Sequence, residues 1–422
     1  MAAMLTTNVP ASFAQDALLS PNDVSILFPV PTSLVDLSNF ISIADLADAG
    51  GAPLVKIEDF DRFVAIAEGD ASKIVDAAGA TAQIGFPEGT KDMKAWFIAG
   101  IRLDVGAPGL SATIMDAFGQ IPQIRLIIQP VTERDGTLKI HDRAAHLTFS
   151  FALKAADEQE TCPIPMMKKI EPNLPGFRAV LSDFVALRDG LAGGRFGGVQ
   201  VTTTGPLDVH PGFKGLSQKP FRDAIEALLE KHLKSSQLGA MAAMGLPKTA
   251  PEPWIFLAMK GPNTGDLAAF PSPALENQSR AQLLRFFGSK KVLPEPKSDN
   301  QNDTMTRCFR LPNDRKGVST AELFDSAATP ARTIEVTGII ADPTKSHFFN
   351  TDCVSCHTET RLLRAKVPEK VIPGIVEAVL PKSRWNVRNF GWGPESAGFR
   401  PTITRRTATE TDEVVKAANE LL

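Results

Sequence analysis

Three stretches near the front of the chain hold β-forming residues over the length of a strand, and they constrain the fold more than anything else in it. Residues 95–105 (AWFIAGIRLDV) and 123–131 (QIRLIIQPV) are mostly apolar and bounded by turn residues, while 144–153 (AAHLTFSFAL) alternates. Pro130 reads as the end of the second stretch, and Asp135-Gly136 as the turn that follows. Strands of this kind must bury a face against another layer, which commits the region to a sheet. A helix is expected over 57–67, where Ile57, Phe60, Phe63, Val64 and Ala67 recur at helical spacing. Sheet and helix together predict an α+β fold.

The rest of the chain reads as more of the same, then changes. Residues 177–187 suit a helix, and the glycine-dense 190–198 reads as a flexible loop, because no phosphate-binding spacing accompanies it. Pro220 opens a long helix with Phe221, Ile225, Leu228, Leu229 and Leu233 on one face, and 254–259 is a short strand. Residues 261–273 and 294–304 look like linkers, the second wholly polar after its first prolines. Beyond them a strand is expected over 332–340 and a helix, disturbed by Pro373, over 368–380. A last helix is expected from about Thr409, with Asp412 in a capping-box position. The expected organisation is multi-domain. Residues 1–19 are a leader remnant or disordered. A mixed α/β region spans 20–293, with a subdivision near 155–175. A linker follows at 294–304, and a smaller C-terminal domain at 305–422.

Composition narrows the class of function. Hydrophobic residues make up 43% and charged residues 22% of 422, enough to build a core and too apolar for wholesale disorder. A formal net charge of -3 carries no basic excess, so no nucleic-acid partner is expected. No apolar run approaches the roughly 18 residues of a membrane helix, so no transmembrane segment is expected. Residues 1–15 lack Lys and Arg. The chain has 25 Phe and no Tyr, which removes the phenol as an acid, base or radical carrier.

Residues 353–357 read Cys-Val-Ser-Cys-His, the pattern of covalent haem attachment. Thiols three positions apart lie on one side of a helical turn, where each can form a thioether with a haem vinyl group. The adjacent His then projects under the ring and offers iron its proximal nitrogen. Other chemistries stay open to the same residues: a redox dithiol, a zinc site completed by His347, or a structural disulfide. A dithiol normally opens a helix within a βαβ pattern, which is not seen here. Cys356 and His357, as helix neighbours, point apart, which is awkward for a single zinc ion.

On these five residues the chain resembles the c-type cytochromes. The resemblance implies one covalent haem c, linked to Cys353 and Cys356, with His357 as the proximal iron ligand. It further implies an extracytoplasmic site, periplasmic or secreted in a bacterium. The function it implies is electron transfer or haem-based redox chemistry with a redox partner protein. The run 22–29 (NDVSILFP) is similar to the opening of some uncharacterised secreted bacterial proteins and carries no function. One departure matters: no Met and no His follows His357. A sixth ligand must come from upstream, with His347 first and Met305 next, or the position is open to a small ligand. The alternative to a haem protein is a secreted binding or surface protein whose Cys pair is a structural disulfide or metal site.

Other residues are read with two roles each. Trp385, Phe390 and Trp392 are either core aromatics or a wall of the haem pocket. Arg384, Arg388, Arg405 and Arg406 are either a solvated basic face or partners of haem propionates. His141, His146, His210 and His232 are read as surface or internally satisfied histidines. Cys162 and Cys308 remain as an even pair, and in an oxidising compartment they are expected to be bridged. Such a bridge closes a long loop and contributes about 4–5 kcal/mol in the loop-entropy treatment. Non-reducing peptide mapping of protein from its natural compartment should recover the linked peptides; two free thiols would remove the bridge and weaken the localisation.

Overall fold

The computed structural model describes residues 18–71, 86–87, 89–106, 121–153, 171–215, 218–245, 254–261, 267–270, 281–287, 291–294, 320, 323, 327–346, 351, 353–383 and 386–422. The strands are β1 (Ser25–Leu27), β2 (Trp96–Asp104), β3 (Gln123–Arg134), β4 (Thr137–Ile140), β5 (Arg143–Ser150) and β6 (Leu238–Gly245). They continue with β7 (Trp254–Lys260), β8 (Ala268–Phe270), β9 (Ala281–Phe287), β10 (Lys291–Pro294), β11 (Phe390–Glu395) and β12 (Gly398–Ile403). The longer helices are α1 (Ile57–Ala71), α2 (Leu174–Ala192), α3 (Gln218–His232), α4 (Pro330–Ala341), α5 (Cys353–Lys366) and α6 (Arg405–Leu421). The fold is α+β. Ten strands form one sheet in the order β1-β2-β3-β5-β6-β7-β9-β10, with β4 on β3 and β8 on β7, and β11 and β12 form a separate hairpin.

Every pairing in the large sheet is antiparallel, so directly opposed residues share a face. The register sorts the side chains cleanly. One face carries Trp96, Ile98, Ile101 and Leu103 of β2, Ile124, Leu126 and Ile128 of β3, Leu147 and Phe149 of β5, and Met241 and Met259 of β6 and β7. All of these are buried. α1 covers part of this face, with Phe60 and Phe63 set edge-on to Trp96. α2 and α3 join the same core through the Phe151–Phe177 and Phe213–Phe221 contacts.

The opposite face is polar where a sheet open to water would be polar: Arg102 and Asp104 on β2, Gln123, Arg125 and Gln129 on β3, and His146, Thr148 and Ser150 on β5. It is nevertheless covered. The C-terminal segment lies across it, and the hydrophobic core is continuous from Leu19 to Ala418. The side chain of Gln129 bonds both backbone groups of Trp392, accepting from its N–H at 2.6 Å and donating to its carbonyl at 2.9 Å. Trp392 also donates from its ring to the Phe28 carbonyl and stands edge-on to Phe40. Gly100 on β2 leaves the space that the Phe390 ring fills; a Cβ there would fall 2.4 Å from it.

Several expectations are corrected. Pro130 does not end β3, which runs on to Arg134. Pairing with β5 stops at Ile128 and pairing with β4 starts at Val131, so the proline sits in the gap where its missing N–H costs no ladder bond. Asp135 and Gly136, both at positive φ, make the turn as expected. Residues 332–340 are helix, not strand. Their β-branched residues favour a strand, but Thr329 caps α4 by accepting from the Arg332 N–H and Pro330 starts it. The buried Thr333, Val336, Thr337 and Ile340 form a helical stripe. Residues 368–380 are turns ending in a short 3-10 segment at Glu377–Val379. Gly374 at positive φ breaks the helix, and the backbone there bonds to Leu207. α6 begins a turn earlier than expected, capped by Thr404. The 294–304 linker, beyond Pro294, lies outside the described residues.

The fit at Gly100 has a measurable consequence. Gly100→Ala should destabilise the protein by about 1–3 kcal/mol through overpacking. Combining it with Phe390→Leu should cost clearly less than the sum of the two single changes in urea titrations. Strict additivity would mean that Phe390 does not pack on β2.

Candidate functional site

α5 opens at Cys353, so the Cys-x-x-Cys-His motif occupies the first turns of a helix, as the spacing requires. Its sequence is polar, yet every residue from Ser355 to Leu363 is buried or half-buried. Buried polar groups need partners, and α5 finds several. Ser355 accepts from the Thr320 N–H at 2.8 Å, and the hydroxyls of Thr358 and Thr320 lie 3.1 Å apart. Glu359 accepts from the Thr360 hydroxyl and the Arg406 N–H and faces the Arg405 guanidinium at 3.5 Å. Burial pushes its carboxyl up, and Arg405 pulls it back.

His357 is the best-defined member of the motif. Its Nδ1 lies 2.7 Å from the Val387 carbonyl oxygen, which can only accept, so Nδ1 carries the proton. Burial pushes its pKa down to about 4, so the ring is neutral at pH 7 with its lone pair on Nε2. This is the state in which an imidazole ligates iron, held by a carbonyl acting on the other nitrogen. Cys356 is a half-buried thiol packed beside Leu323, Val336, Ile340 and Leu362.

The residue after Val387 adds a second feature. Arg388 is buried and donates from Nη2 to Asp142 at 2.6 Å, while its Nε and Nη1 have no hydrogen-bond partner among the described residues. Burial lowers its pKa, and the Asp142 carboxylate opposes that. Orphaned guanidinium N–H groups inside a protein favour an anionic ligand. A haem brings two propionates, so a tautomerically fixed imidazole and an unsatisfied arginine fit that group. Among the described residues no group of three or more His, Cys, Asp or Glu side chains could hold a metal ion. A haem iron takes one or two protein ligands and makes no such demand.

The site is tied to the sheet by buried charges. Glu410 of α6 accepts from Arg102 Nη1 at 3.0 Å and from Arg406 Nε at 2.6 Å. Arg406 also donates to the carbonyls of Ile340 and Ser346. Asp104 pairs with Arg125 at 2.8 Å on the same sheet face.

The other expected site residues divide. Phe390 and Trp392 are buried in the junction between β11 and the sheet. Arg405 and Arg406 belong to the buried network rather than a solvated face. His141 bonds the Thr132 hydroxyl, His210 stacks on Phe221 and accepts from the Gly212 N–H, and His232 meets Asp183, so these three are internally satisfied. His347, Met305, Trp385, Arg384, Cys162 and Cys308 lie outside the described residues. One contributor was missed: the Val387 carbonyl, a backbone atom with no sequence signal.

No protein-family model, curated protein or solved structure matches the chain. No helix among the described residues is long and apolar enough to cross a membrane.

The Glu410 network sets a pH dependence. Arg406 and Arg102 hold the buried Glu410 carboxyl down to about 2, against the upward push of burial. The unfolded chain therefore takes up this proton first as pH falls. The stabilisation, on the order of 3 kcal/mol, is complete above the ordinary value of 4.5 and lost as pH drops towards 2. Glu410→Gln should cost about 3–5 kcal/mol at pH 7, because it strands two buried guanidinium groups. In urea titrations from pH 7 to pH 3 it should also flatten the acid limb; an unchanged limb would refute the assignment.

Proposed function

We propose that this protein is an extracytoplasmic c-type haem protein that transfers electrons or performs haem-based redox chemistry. The observation that carries the reading is His357. It completes the attachment motif in sequence, and the Val387 carbonyl, accepting from Nδ1, holds it as a neutral imidazole of one tautomer. In this reading Cys353 and Cys356 anchor one haem by thioethers and His357 is the proximal ligand. Arg388 Nε and Nη1 accommodate a propionate. When bound, the haem supplies a one-electron couple at its iron. The chain supplies the rest: Val387 raises the basicity of the proximal ligand, and the buried surroundings of α5 limit water at the metal and bias its potential. A redox partner protein is part of the proposal, since a one-electron carrier needs a donor and an acceptor.

The alternative, a secreted binding or surface protein with a structural Cys pair, draws its support from the apolar packing of Cys356. One measurement separates the two. Produced in a host with c-type haem maturation, the intact protein should exceed the polypeptide mass by one haem. Acid-acetone should not extract its colour, and Cys353→Ala with Cys356→Ala should abolish covalent attachment. A colourless protein of bare polypeptide mass from such a host leaves the structural reading.

A further inference from the structure

Two strand edges in the fold have no neighbour, and residues of both line one groove. Among the described residues β4 pairs only with β3, and β12 only with β11. Each hairpin turns through two residues, Asp135-Gly136 in one and Ser396-Ala397 in the other. The pairs Arg134–Thr137 and Glu395–Gly398 therefore close the ladders. Pairing then alternates along each strand. Leu138 and Ile140 on β4, and Phe399 on β12, turn their backbone N–H and C=O groups away from the partner strand. His141 keeps the alternation, donating inward to the Pro130 carbonyl. No hydrogen bond engages the outward backbone groups of Leu138, Ile140 or Phe399 among the described residues.

These three residues line a groove of about 460 Å³, together with the segment Val30 to Ser33. Its walls are apolar at Val30, Pro31, Leu138, Ile140 and Phe399, and just past Ser33 the exposed Leu34 and Val35 extend the apolar surface. A residue in a packed sheet fills about 160 Å³, from a rise of ~3.3 Å, a strand spacing of ~4.8 Å and a layer spacing of ~10 Å. The groove thus holds about three residues of extended chain, close to the 4 residues of β4. A free strand edge receives such a chain through its backbone, while alternate side chains of the incoming strand fill the apolar space.

Charge narrows the occupant. The acids around the groove already have donors. Asp36 accepts from Thr32, Glu133 from the Gly136 N–H, and Glu395 from the Lys382 and Ser383 N–H groups and from Asn386. Arg134 and Asp135 face each other. Lys139 on β4 and Arg400 on β12 stand next to lining residues and are exposed, and no ion pair or hydrogen bond engages either side chain among the described residues. Acidic flanks on the incoming strand complement these two cations. We propose that the groove binds an extended segment of a partner protein as an added strand on β4, with alternating apolar residues inside and Asp or Glu on the flanks. This surface stands whether or not the chain carries haem.

The test is selection from a displayed library of random short peptides on the full-length protein. Enriched peptides should alternate apolar residues between acidic flanks. The best of them, made synthetically, should bind in calorimetric titration and slow hydrogen exchange at the Leu138 and Ile140 amides in NMR spectra. N-methylation of its backbone at the bonding positions should weaken binding at least roughly tenfold. Leu138→Pro, which removes one outward N–H where an edge strand tolerates proline, should do the same. If that variant does not fold, the N-methylated peptide carries the same test from the ligand side. Lys139→Glu combined with Arg400→Glu should turn the selection towards peptides with Lys or Arg flanks. No enriched peptide, enrichment without an acidic preference, or binding indifferent to N-methylation each overturns the proposal. So does a dimer in sedimentation that Leu138→Pro dissolves, because a second copy of the chain then occupies the edge.

Discussion

The ion-paired carboxylate of Glu410, held between Arg102 on the sheet and Arg406 on its own helix, is the constraint on which the rest of the arrangement depends. Charges withdrawn from water tolerate little misplacement, because each must meet its partner or bear its full desolvation cost. This group therefore sets how α6 lies on the polar face. Through Arg406 it also sets where α4 ends, since the same guanidinium takes the carbonyls of Ile340 and Ser346. Glu359 accepts from the Arg406 backbone and ties α5 to the same point. Three helices and the sheet thus share one electrostatic joint.

That joint explains how a helix as polar as α5 can be buried. Residues such as Thr358, Glu359 and Thr360 would normally face water, and hydrophobic burial alone would not draw them inside. They are inside because their partners, Thr320, Arg405 and Arg406, are there to meet them. Apolar packing would give a more stable helix at this position.

The sheet shows the same division of labour. Its apolar face is an ordinary core, filled by alternate residues of five strands and by aromatic contacts with α1. Its polar face has the alternation of a solvated antiparallel sheet, and the C-terminal segment covers it with matched groups. Gln129 serves the backbone of Trp392 almost as a neighbouring strand would, and Gly100 makes room for Phe390. The covering segment is thus keyed to particular positions on the sheet.

Much of this was legible in the amino-acid sequence because it depends on local pattern. The strands read at 95–105, 123–131 and 144–153, the helices read at 57–67 and from Pro220, and the Asp135-Gly136 turn follow from periodicity and turn chemistry within a few residues and are present, with shifted ends. Where local preference and context disagreed, context prevailed: the β-branched residues of α4 became helix because a cap, an N-terminal proline and a buried stripe outweighed their strand preference. What the sequence could not reveal is what lies on which face of what. Only the antiparallel register sets Gly100 and Ile127 side by side beneath Phe390 and Gly391 from the far end of the chain. The Val387 carbonyl that fixes the His357 tautomer is a backbone atom and leaves no trace in composition. Long-range pairing and backbone placement are properties of the assembled core, and only the tertiary structure decides them.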